Sequence, residues 1–116
     1  MMLIPGEALP HFENLIYMPM LLTILSRDRQ AFEKGCCKFS DPYIKLVDKA
    51  LERVQKDLKT SSDYLRQNKM KLIKGKSEET FTTYTFIYQG YEDQRRYLNA
   101  RLKNRTEELM ELFMIK

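Results

Sequence analysis

The 116-residue sequence predicts a mainly α fold: a three-helix antiparallel bundle in one domain, residues 1–116, with a small β-hairpin at about 70–88 inserted between the second and third helices. Three observations carry this expectation. Ile44, Val47, Leu51, Val54, Leu58 and Leu65 recur at three- and four-residue steps with one miss, at Ser61, which draws a single apolar stripe along a helix. The run Leu15–Leu25 is apolar on nearly every side, as in a helix packed between others. Residues 80–88, TFTTYTFIY, are all β-branched or aromatic, a strong strand preference.

In chain order, residues 1–10 form an irregular lead-in punctuated by Pro5, Gly6 and Pro10. A first helix is expected from about Pro10 to Lys34, ending at Gly35, with Pro19 kinking it or dividing it in two because proline removes a backbone donor. The second helix opens at Asp41, whose carboxylate can cap free N–H groups, with Pro42 presetting φ at the first helical position. Its stripe is narrow, so it needs a partner helix.

The third region reads two ways. Phe81, Tyr84, Tyr88, Tyr91, Arg95, Leu98, Leu102, Arg105, Leu109 and Leu112 keep a helical period, so a helix could run from Ser77 to Met114. Side-chain preference and Gly90 favour strands instead: a hairpin of about 70–75 and 80–88 around a Gly75–Glu79 loop, then a helix from Tyr91 to Met114. The second reading is preferred. The last helix then lies antiparallel to the central one, and the first covers their seam.

Hydrophobic residues at 43% and charged residues at 31% place the chain among globular domains, neither disordered nor membrane-like. At eleven residues, Leu15–Leu25 is too short to span a bilayer, so no membrane association is expected. Cys36 and Cys37 are adjacent, a spacing that suits neither a mutual disulfide nor a zinc site; they read as linker thiols of a reduced, cytoplasmic protein. The net charge of +4 is concentrated in residues 35–76, with eleven Lys/Arg against five Asp/Glu.

Catalytic signals are weak. His11, the one histidine, reads as a surface or capping residue. The helical carboxylate pairs Glu108/Glu111 and Asp48/Glu52 lack a matching pair on a facing helix, and Asp48 and Glu52 sit among Lys45, Lys49, Arg53 and Lys56. No catalytic residue, metal or cofactor is assigned, and a carboxylate-metal hydrolase ranks third among functions. The leading expectation is a non-catalytic regulatory or interaction module, generically similar to small helical regulators of bacterial or phage origin. Its basic end, Arg66, Lys69, Lys71, Lys74, Arg95 and Arg96, interleaved with tyrosines, would bind nucleic acid or an acidic protein. The alternative is a self-assembling adaptor, a homodimer joined through Leu15, Met18, Leu22 and Leu25 of the first helix.

Overall fold

A computed structural model describes residues 4–35 and 38–115. The elements run α1 (Leu9–Glu33), α2 (Asp41–Gln67), β1 (Met70–Ser77), β2 (Phe81–Tyr88), β3 (Tyr91–Leu98) and α3 (Asn99–Ile115). The architecture is therefore not a three-helix bundle with a small inserted hairpin. It is a helical hairpin, then a three-stranded antiparallel sheet in the order β1-β2-β3, then a single closing helix.

The two long helices start and stop where the chain chemistry directs. Pro10 lies in the first turn of α1, and Gly35 after its end takes φ +84°, a left-handed conformation that glycine adopts without steric penalty. Pro19 does not divide α1; the helix continues through it, and the Thr23 hydroxyl donates to the Pro19 carbonyl at 3.1 Å. In α2, Asp41 lies in the first turn rather than ahead of it, where its charge favours the helix dipole. That helix ends at Asn68 and Lys69 (φ 56°), with Asn68 returning both its backbone N–H and its side-chain amide to the Tyr64 carbonyl.

The stripe on α2 faces α1. Val47, Ala50, Val54 and Leu65 are buried, while Ile44, Leu51 and Leu58 flank them half-buried. Ser61, the one break in the apolar spacing, is itself 1% exposed. Its hydroxyl meets His11 Nδ1 and the Asn14 side-chain amide, each at 2.9 Å, so the polar atom is satisfied inside the seam. His11 is correspondingly no surface or capping residue: its ring stacks on Tyr64 with centroids 4.0 Å apart.

The sheet departs most from the sequence reading. Gln89 (φ 49°) and Gly90 (φ 83°) form a two-residue turn with both central φ values positive, the geometry whose twist matches antiparallel strands. Tyr88 pairs with Tyr91 across it, and pairing continues without interruption to Phe81 and Leu98. Residues 91–98 are thus a third strand where a helix was expected. The helical period counted Arg95 as an inward position, and that residue does turn inward, but at strand spacing with Asp93 and Tyr97. On β1, Gly75 lies in the strand, not in the loop; a Cβ there would come 3.2 Å from the Thr83 carbonyl oxygen, and the register shifts between Lys74 and Ser77.

Alternation gives the sheet two unlike faces. Thr82, Tyr84 and Phe86 are buried toward the helices, with Phe86 stacked on Phe12 of α1 at 4.5 Å. The opposite face is uncovered. From β3 the chain enters α3 with no intervening residue, and α3 buries Leu102 and Thr106 against the rest. Its C-terminal end is held by Arg53 of α2, which donates to the Phe113 carbonyl at 3.1 Å. Among the described residues, no helix is long and apolar enough to cross a membrane.

Candidate functional site

The six expected basic residues do not form one surface. Arg95 and Arg96 are neighbours on β3 and therefore face opposite sides of the sheet. Arg95 lies inward, bonded to Asp93 at 2.9 Å with its guanidinium 4.7 Å from the Phe86 ring centre. Arg96 lies outward, over the Phe81 ring at 4.0 Å. Lys71 and Lys74 divide in the same way: Lys71 pairs with Ile87 on the outer face and Lys74 with Tyr84 on the inner one. Lys71 and Arg96 share the outer face at its two ends, roughly 13 Å apart along the strand direction. Arg66, exposed near the end of α2, pairs with Asp63 at 2.7 Å, and Lys69 occupies the turn beyond.

The first-helix residues expected at a subunit contact also separate. Met18 and Leu25 are 1% and 0% exposed, covered by this chain's own core. Leu15 and Leu22 are half-buried and pack against that core. The apolar surface left open lies elsewhere: Phe39, Tyr43 and Leu46 around the start of α2, Leu112 and Ile115 at the end of α3, and Ile73, Tyr91 and Leu98 on the strands. The carboxylate pairs are tied to cations, Asp48 to Arg29 at 2.6 Å and Glu108 to Arg105 at 2.9 Å. Among the described residues no cluster of three His, Cys, Asp or Glu could hold a metal ion; Cys36 and Cys37 lie outside the described residues.

What the linear sequence does not show is a groove between α1, the inner face of the sheet and α3. Its volume is about 690 Å³. Met20 and Ile24 of α1 and Leu102 and Met110 of α3 form apolar walls, and Lys74, Ser77, Thr82 and Tyr84 bring polar atoms from the sheet. Behind them runs a short relay. The Thr82 hydroxyl donates to the Asn99 side-chain oxygen at 2.7 Å, so the 3.1 Å contact with Ser77 has Ser77 as donor. Asn99 in turn donates to the Glu78 and Glu79 carbonyls at 2.8 and 3.0 Å.

Beside the groove, Tyr84 and Tyr97 meet edge to face at 5.7 Å. Burial raises the pKa of Tyr84 above the ordinary 10.0, and the neighbouring Tyr97 adds to it. Tyr97 and Tyr17 are raised as well, in each case first by burial and then by the carboxylate of Glu13. The folded protein thus holds these three phenolic protons more tightly than the unfolded chain. Their contribution to stability is complete below about pH 10 and is lost as pH rises through the higher folded values. Urea titrations should show this loss beginning above pH 10, with ultraviolet absorbance reporting three of the seven tyrosines ionising late. Seven tyrosines ionising together near 10.0, with no change in stability, would contradict it.

The chain is thus an α+β domain built around a helical hairpin and an antiparallel sheet, with a groove walled by its last helix. Residues 3–116 match the family described as YhjD protein, and the chain belongs to that family. A relative from Bacillus subtilis (strain 168), named "Uncharacterized protein YhjD", is 34% identical over 102 residues, covering 88% of this chain and 85% of the relative. No solved structure matches the chain.

Proposed function

We propose that this is a non-catalytic interaction module, cytoplasmic in keeping with its adjacent cysteines, that works as a self-associated pair through the C-terminal half of α3. The supporting observation is that six of the seven residues 109–115 are apolar, which leaves apolar side chains on more sides of the helix than the core occupies. Leu109 and Phe113 pack on the core, while Leu112 remains 47% and Ile115 83% exposed. The shape agrees: the radius of gyration is 16.2 Å, against about 13 Å for a compact chain of this length.

The occupant is a second copy, because the chain carries a complementary surface. The exposed flank of α3 combines Leu112 and Ile115 with Glu111 and with Glu108, the latter shared with Arg105. The exposed stripe at the start of α2 combines Tyr43 and Leu46 with Lys45 and Lys49. In a two-fold pair each surface meets the other twice, joining apolar areas and opposite charges. The division of the basic residues between the two sheet faces weighs against the nucleic-acid reading, which needs them together.

Light scattering at micromolar concentration should give twice the 13.9 kDa chain mass. Leu112→Glu with Ile115→Glu should give monomer with an unchanged circular dichroism spectrum. Lys45→Glu with Lys49→Glu should also separate the pair, and Glu108→Lys with Glu111→Lys should restore it. A wild-type monomer, or charge reversals without rescue, would overturn the proposal.

A further inference from the structure

The groove closed by α3 has the volume, lining and charge of a small-molecule site. Its roughly 690 Å³ falls in the range of about 300–1,000 Å³ common for ligand pockets. Its walls include Met20 and Met110, unbranched side chains that adapt to a flexible occupant, beside Ile24 and Leu102. A rigid planar ligand would call for flat aromatic walls, and among the described residues Tyr84 is the only ring in the lining.

The polar groups narrow the class. On the α3 rim, Lys103 and Glu107 stand four residues apart and carry opposite charges. Lys74, from the inner face of β1, has no carboxylate partner among the described residues, and the lining as a whole sets two lysines against one glutamate, a net positive charge. Ser77 and Thr82 have their hydroxyl protons committed to the relay ending at Asn99, which leaves them as acceptors. Tyr84 retains its phenolic proton at neutral pH, since burial raises its pKa. The groove therefore offers an ammonium and a phenol beside an apolar trough. We propose that it binds an aliphatic carboxylate, with the carboxylate at Lys74 and Tyr84 and the chain along Met20, Ile24, Leu102 and Met110.

The probe is dansylaminoundecanoic acid, compared with its methyl ester, in titrations followed by dansyl fluorescence. The full-length protein should bind the acid saturably, and the ester about tenfold more weakly or worse, the effect of removing one charge-assisted hydrogen bond. Lys74→Met should abolish the preference for acid over ester, and Lys74→Arg should keep it. Thr23→Phe, at an exposed position on the groove mouth, should weaken both probes by narrowing the trough. The monomerising pair Leu112→Glu, Ile115→Glu should bind the acid as the wild type does, which separates this proposal from the assembly surface. No binding by wild type, equal binding of acid and ester, or an acid preference that survives Lys74→Met would each overturn it. So would loss of binding in the monomeric variant.

Discussion

Phe86→Ala should lower the stability of this protein by about 3–5 kcal/mol. Phe86 is fully buried at the centre of the middle strand, stacked on Phe12 at 4.5 Å with the rings within 4° of parallel. The Arg95 guanidinium also lies 4.7 Å from its ring centre. Removing the ring therefore takes away the aromatic stack that joins the sheet to α1, and it leaves a cavity bounded by a helix and a strand that cannot easily collapse together. A domain of this kind has a total stability of roughly 5–15 kcal/mol, so the variant should be near its unfolding threshold. Urea denaturation checks it. Phe12→Ala should cost a similar amount, and the double variant should cost less than the sum, because both remove the same stack. Additive losses, or losses under about 1 kcal/mol for both, would show that the sheet is anchored elsewhere.

Asn99→Ala should cost about 2 kcal/mol, by a different mechanism. Asn99 is the first residue of α3, and its amide group joins three pieces of chain: it donates to the Glu78 and Glu79 carbonyls and accepts from Thr82. Its backbone N–H donates to Thr80 at 2.9 Å. Alanine keeps the backbone bond and loses the rest, leaving the 4%-exposed Thr82 hydroxyl with Ser77 alone. Asn99→Asp separates the contributions, since it preserves an acceptor for Thr82 and deletes both donors to the β1–β2 loop. Hydrogen exchange should show the loop and the first turn of α3 opening together in both variants. Protection unchanged in that region would mean that the amide does not hold them.

The helical hairpin was legible because its signals are local. Gly35, Pro42 and the α2 stripe mark ends and faces within a few residues, and the span of α1 and the start of α2 lie close to where they are expected. Ser61 looked like a defect in the stripe because its partners, His11 and Asn14, are about fifty positions away. The strand β3 was misread for a physical reason. Its inward residues Asp93, Arg95 and Tyr97 are polar or amphipathic, so the period of two is present without an apolar signal, and a helical period of mixed residues filled the gap. The two-residue Gln89-Gly90 turn was the available clue. The same error joined Arg95 to Arg96, which strand geometry places on opposite faces. Nothing in the linear order marks the groove, because its walls come from α1, β1, β2 and α3.

Both outer strands of the meander leave one edge unpaired, which is the usual route by which sheets grow into aggregates. Here that route is obstructed on the β1 side. An added strand on the β1 side would have to follow Lys71, Lys74 and Lys76 through the register shift before Ser77. On the β3 side it would meet Glu92, Asp93, Arg95 and Arg96, with charge on both faces. A like strand arriving at the β1 edge would bring lysines together at a point where the backbone ladder is also hard to extend. The β1 edge is thereby kept from fibril-type stacking.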